Sequence, residues 1–148
     1  MCIACAAAEM LDGVILPFWM ALRDNLYGGY YGYMDFDLKL KKNAPKGCVL
    51  NSRILWFFSE AAILTGRMDL REYATHAYHF LEKYCLDHQN GGMYWSITCN
   101  QAFAIYALSS YYHLTGKSAV LRLACNLFDL IEHRCTDTGG YCEAFIAK

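Results

Sequence analysis

Leu11, Val14, Ile15, Phe18 and Trp19 recur at the i, i+3, i+4, i+7 and i+8 spacing of one helical face. The spacing predicts a helix over roughly Met10 to Leu22 that bends at Pro17, where an interior proline removes a backbone hydrogen bond and crowds the preceding turn. The same period predicts helices at about Leu50 to Thr65, Leu70 to Cys85, Gln101 to Thr115 and Ser118 to His133. So much helix in 148 residues leaves little room for sheet and argues for a single all-α domain.

The punctuation between these helices repeats. Two of them end in the same dipeptide, Thr65-Gly66 and Thr115-Gly116, where glycine can take the left-handed conformation that closes a helix. A glycine pair also recurs, at Gly28-Gly29-Tyr30, Gly91-Gly92-Met93 and Gly139-Gly140-Tyr141, each after a helix and a short polar stretch. Each unit therefore reads helix, GG turn, helix. Such units bury their apolar faces only by stacking, and stacking in a ring gathers the GG turns at one end, where a pocket would lie. Gly66 and Gly116 are 50 residues apart, whereas Gly28 and Gly91 are 63 apart, so the second unit lacks about 13 residues between its glycine pair and Gln101. In the first unit that interval holds Tyr30 to Asp35, whose alternation suggests a short β-hairpin over the ring mouth.

Composition narrows the functional classes. A formal net charge of −1, with lysine clustered only at Lys39, Lys41 and Lys42, argues against a nucleic-acid partner. The chain is 56% hydrophobic, unusually apolar for a small domain, so part of its apolar surface is expected to want a partner. The eight cysteines show no disulfide framework and are expected as reduced thiols, several of them small core residues. Cys2 and Cys5 have C-x-x-C spacing without the second pair that a zinc site needs, and no metal is expected. The longest strongly apolar run, Gly13 to Ala21, is shorter than the ~20 residues that span a bilayer, which points to a cytoplasmic protein without a membrane partner.

Several segments together resemble the N-acylglucosamine 2-epimerase and cellobiose 2-epimerase family: Ile15-Leu16-Pro17-Phe18-Trp19, Arg23-Asp24, Gly28-Gly29-Tyr30-Tyr31-Gly32, and Lys46-Gly47 leading to Ser52-Arg53-Ile54-Leu55-Trp56-Phe57. The match continues through Gly91-Gly92-Met93-Tyr94-Trp95 and Gln101 to Leu108, and ends at Gly140-Tyr141 and Glu143-Ala144-Phe145. The wording is most similar to bacterial cellobiose 2-epimerases. The resemblance implies an (α/α)6 barrel, of which residues 10–148 would be the N-terminal part and residues 1–9 an extension outside the family. It also implies a cofactor-free isomerase that inverts C2 of the reducing-end sugar of cellobiose or a related β-1,4 disaccharide by removing and returning a proton. N-acylglucosamine 2-epimerase and aldose-ketose isomerase activities are the alternatives inside the family.

That chemistry needs a base for the proton next to the carbonyl and a cation or donor for the enediolate. The family's catalytic histidines lie beyond the residues matched here, and His76, His79, His88, His113 and His133 do not match their motifs. The resemblance carries over Arg53, placed after Lys46-Gly47 like the family arginine that faces substrate; a guanidinium offers five fixed donors and a permanent charge. Periodicity alone would make Arg53 a surface residue of its helix. Trp95, beside the second glycine pair, is the candidate for stacking on a sugar ring, while Trp19 and Trp56 fall on apolar helix faces and read as core. Asp24 reads as a turn-fixing carboxylate. His76 and His79 have ligand spacing but no third ligand, and Glu143 receives no role. A family tyrosine is replaced near Cys99, which together with the shortened loop puts turnover by this chain in doubt. The competing expectation is a non-catalytic helical module that binds sugar or self-associates through an open barrel edge.

Overall fold

The computed structural model describes residues 2–89, 91–94 and 98–141. Helices α1 (Ile3–Met10) and α2 (Leu16–Ala21) are joined by a π turn, Leu11–Ile15, into one continuous rod. It is followed by α3 (Cys48–Thr65), α4 (Leu70–Phe80) with a second π turn at Leu81–Cys85, α5 (Thr98–Thr115) and α6 (Ser118–Arg134). Two-residue strands β1 (Thr136–Asp137) and β2 (Gly140–Tyr141) pair antiparallel at the end.

The rod departs from the expected helix in two respects. It begins at Ile3 instead of Met10, and its inward stripe is not the predicted one. Leu16 is 1% exposed and Leu11, Trp19 and Met20 pack against the core, while Val14, Ile15 and Phe18 face solvent. The cause is the π turn. Pro17 has no N–H to offer Gly13, the helix widens just before it, and Leu16 N–H reaches back five residues to the Leu11 carbonyl. One extra residue in the turn rotates everything after it, so Leu11 and Leu16 share a face that a uniform 3.6 period would not give them.

By length and composition, the rod 3–21 and α3 could each cross a membrane. Helix α3 is instead a core helix, with Ile54, Leu55 and Phe58 buried. The rod carries Glu9 and Asp12, and Asp12 pairs with Arg67 Nη1 at 3.0 Å in the turn after α3.

The helices form two layers. In the inner layer α3 and α5 pack side by side; in the outer layer α4 lies against α3, and α6 against α5. The core between them is led by Leu55, Phe58, Leu70, Tyr111, Val120 and Leu127, all below 2% exposed. A register of 50 residues relates the units closely. It maps both ends of α3 onto both ends of α5, and Gly66 onto Gly116, which have φ of 69° and 66°. The caps repeat as well: Thr65 Oγ1 donates to the Ala61 carbonyl and Thr115 Oγ1 to the Tyr111 carbonyl, and each threonine oxygen then accepts from the backbone N–H two residues on.

The first two GG turns are the same structure 63 residues apart. Asp24 N–H donates to the Gly29 carbonyl, Gly28 N–H to Asp24, and Tyr31 N–H to Leu22; Asp87, Gly92, Gly91, Tyr94 and Cys85 repeat all three bonds. Each turn seats between the start of an inner helix and the end of an outer one. A Cβ on Gly29 would meet the Phe80 ring at 2.7 Å and Asn51 Oδ1 at 2.9 Å; a Cβ on Gly92 would meet Leu130 at 2.8 Å and Gln101 at 3.3 Å. Both glycines also have positive φ, so the position excludes a side chain twice over. The third turn has two residues fewer between aspartate and glycine pair, and closes as the tight β1–β2 hairpin.

The expected hairpin over Tyr30 to Asp35 lies a few residues further on. Its arms pair at Met34↔Leu40 as an isolated bridge, with Lys41 N–H donating to Tyr33 and Asp35 N–H to Lys39, around a turn in which Leu38 has φ 60°. The bonds are too few to make regular strands. Among the described cysteines Cys48, Cys85 and Cys135 are buried free thiols, as expected of small core residues, whereas Cys2, Cys5 and Cys125 are exposed.

Candidate functional site

The GG turn that ends the rod is locked by a buried ion pair. Asp24 is 2% exposed; its Oδ1 accepts from the N–H groups of Leu26 (2.9 Å) and Tyr27 (3.1 Å), and its Oδ2 binds Lys46 Nζ. Lys46 also donates to the Gly28 carbonyl at 2.6 Å, which staples the loop entering α3 to the turn leaving the rod. Burial by itself would raise the Asp24 pKa, but the Lys46 bond and the backbone N–H donors more than offset it and hold the carboxyl well below the usual carboxylate range. Asp24 is therefore a structural turn residue. Asn51 completes the arrangement: Oδ1 accepts from Tyr30 N–H at 3.0 Å and Nδ2 donates to the Gly47 carbonyl at 3.0 Å.

His76 belongs to the same structure. Its Nε2–H donates to the Gly29 carbonyl at 3.1 Å, and its ring meets Tyr30 edge-on at 5.6 Å. Burial, seconded by the positive charge of Arg23, lowers its pKa and favours the neutral ring. His79 is exposed and faces Glu82, so the pair does not converge on a metal, and the described residues contain no cluster of three ligating side chains. The sign of the pH dependence follows. A histidine whose pKa is depressed by folding stabilises the fold above its ordinary value of 6.5, and that contribution is lost as pH falls through the depressed value. Urea midpoints are expected to drop between pH 7.5 and 5.5 and to do so less steeply in His76→Gln; equal slopes would contradict the assignment.

With the GG turns fixed, the N-terminal halves of α3 and α5 present a pocket of about 390 Å³ on the inner layer. Trp19, Leu50, Arg53, Ile54, Trp56, Phe57, Phe103 and Tyr106 line it. Arg53 is exposed at its lip, with its guanidinium 4.5 Å from the Phe103 ring centroid. Trp56 stacks on Tyr106 at 5.3 Å with 29° between the planes. The 50-residue register accounts for both contacts, since it places Phe103 opposite Arg53 and Tyr106 opposite Trp56 on adjacent inner helices. A cup walled by aromatic faces with the Arg53 cation at its rim suits a neutral, hydroxyl-rich ring that acquires negative charge during reaction.

Arg53 thus lies on the pocket, and among the described residues no histidine lines it. Trp19 and Trp56 pack against the core, as their periodicity predicts, and they line the pocket too. Phe103 and Tyr106 were missed, although projecting Arg53 and Trp56 forward by 50 residues would have found them. Trp95 and Glu143 lie outside the described residues, as does the side chain of Cys99.

Outer and inner helices alternating in hairpins, GG turns gathered at one end and a pocket on the inner face define an α/α-barrel protein. The chain belongs to the N-acylglucosamine 2-epimerase (GlcNAc 2-epimerase) family, whose sequence pattern matches residues 29–145. It is 48% identical to the cellobiose 2-epimerase of Eubacterium cellulosolvens, over 93% of this chain and 37% of that protein. It is 46% identical to the cellobiose 2-epimerase of Ruminococcus albus, over 93% and 38%. The crystal structure of a sugar epimerase from a ruminal bacterium superposes with a TM-score of 0.90 at 45% identity, covering 93% of this chain and 39% of that one. The chain thus spans less than two fifths of the length of these relatives.

Proposed function

We propose that this chain supplies the Arg53 side of the active site of a cytoplasmic sugar 2-epimerase. The substrate is the reducing end of cellobiose or a related β-1,4 disaccharide. The supporting observation is the pocket itself: in a chain 48% identical to a cellobiose 2-epimerase, the cationic lining residue Arg53 stands over an aromatic wall. In this reading Trp56 and Tyr106 hold the apolar faces of the sugar, and Arg53 neutralises the enediolate oxygen as the C2 proton leaves. Proton transfer falls to groups other than the pocket lining of this chain. Helix 3–21 stays with the fold in water, tied down by buried Leu16 and by the Asp12–Arg67 pair. Because Trp19 and Trp56 both line the pocket, cellobiose is expected to change tryptophan fluorescence saturably, and Tyr106→Ala is expected to weaken that binding. A titration indifferent to Tyr106→Ala would place the sugar elsewhere.

One observation also favours association. The register of 50 maps Phe128, 51% exposed, onto Tyr78, which is 6% exposed and stacks on Tyr111 of α5. It maps Ser109, which is exposed, onto Ser59, which is fully buried, and Tyr106, 52% exposed, onto Trp56. The α5–α6 edge thus repeats the α3–α4 face that α5 covers, and carries a groove of about 500 Å³, lined by Ile105, Tyr106, Phe128 and Ile131, that the described residues leave uncovered. The alternative reading, a helical module that self-associates there, predicts dimers or larger species in light scattering; a stable dilute monomer would eliminate it.

A further inference from the structure

Cys2 and Cys5 lie on the first turn of α1, outside the residues that match the family pattern and away from the pocket. Cys2 occupies the N-cap, where its sulfur accepts the Cys5 N–H at 3.4 Å, and the two Sγ atoms are 3.3 Å apart. Both thiols are exposed, beside the small residues Ala4, Ala6, Ala7 and Ala8 and an Ile3 that is itself 90% exposed. Three other cysteines, Cys48, Cys85 and Cys135, are buried and closed to reagents, and Cys125 is exposed.

We propose that Cys2 and Cys5 form a thiol–disulfide exchange site that closes reversibly into an intrachain disulfide with a low-molecular-weight disulfide as oxidant. The helix turn supplies the geometry: residues three apart are neighbours on a helix, and closing the bond needs the sulfurs to approach by only a little over 1 Å, to the ~2.05 Å of a disulfide. Cys2 is the attacking sulfur, because the Cys5 backbone N–H, the Cys5 thiol and the Ala4 N–H all favour its thiolate. In the first step the Cys2 thiolate attacks one sulfur of the oxidant; the oxidant S–S bond breaks and one small thiolate leaves. In the second, the deprotonated Cys5 sulfur attacks Cys2 Sγ and expels the other small thiolate. The two protons lost by the cysteines are taken up by the two leaving thiolates. Two cysteines are oxidised and one disulfide is reduced to two thiols.

The test exposes the whole chain, without denaturant, to oxidised glutathione, alkylates the remaining thiols and maps the tryptic peptides unreduced. The peptide ending at Arg23 contains Cys2 and Cys5 and no other cysteine. It is expected to carry no alkyl group and to be lighter than the reduced peptide by two hydrogens. Cys5→Ser is expected to stop at the glutathione mixed disulfide on Cys2, and Cys2→Ser to react more slowly at Cys5. The proposal is overturned if Cys2 and Cys5 are recovered alkylated while Cys125 carries glutathione, or if Cys5 in Cys2→Ser reacts as fast as Cys2 in Cys5→Ser.

Discussion

Asp24→Ala is expected to destabilise the chain by about 3–5 kcal/mol, the usual cost of removing one partner from a buried ion pair. The substitution would leave the Lys46 ammonium, whose side chain is 11% exposed, with the Gly28 carbonyl as its remaining acceptor among the described residues. It would also strand the N–H groups of Leu26 and Tyr27, which Asp24 Oδ1 now accepts. Against a total stability of roughly 5–15 kcal/mol, such a loss is visible directly as a fall in the urea midpoint. Asp24→Asn should lie between, since an amide oxygen can still accept from the turn while the charge is gone. The pH dependence has the same origin: with its pKa held down by folding, Asp24 stabilises the fold above the ordinary carboxylate value of 3.8 and loses that contribution as pH falls further. A cost below about 1 kcal/mol for Asp24→Ala would mean that the pair behaves as a surface salt bridge.

Arg53→Ala is expected to lower turnover by about 10²–10³-fold, the usual cost of losing one donor that stabilises a developing oxyanion. The assay uses a chimaera in which this chain replaces the matching N-terminal part of the Eubacterium cellulosolvens enzyme. Arg53 stands on α3 by packing over Phe103, and alanine removes both the charge and this stacking contact. Arg53→Lys separates the two: it restores a cation without the planar fork, and should recover only part of the rate. The loss is expected mainly in kcat, because in the proposed reaction the enediolate charge would exist only as the proton leaves. A change confined to KM would make Arg53 a ground-state binding residue.

Most of the helical layout was legible because packing, caps and period agree there. The inner helices α3 and α5 begin and end within three residues of their predicted bounds, and their Thr-Gly caps were visible as dipeptides. The rod was misread where one physical event breaks the period: the π turn before Pro17 shifts the buried face from Val14 and Ile15 to Leu16. The lock between Asp24 and Lys46 spans 22 residues, and no local pattern signals a contact across a loop of that length. The pocket was half legible. Arg53 came from family likeness and Phe103 from nothing local, yet both follow once the 50-residue register is treated as a statement about neighbours on adjacent inner helices.

The central claim, that Arg53 stabilises charge formed by proton loss at C2, is tested most directly by following that proton. Cellobiose incubated with the chimaera in deuterated buffer should lose its C2 proton signal by NMR and form the 2-epimer, while the Arg53→Ala chimaera, folded to the same midpoint, should exchange about 10²–10³ times more slowly. Equal exchange rates in the two proteins would contradict the claim and leave Arg53 a surface residue resting on Phe103.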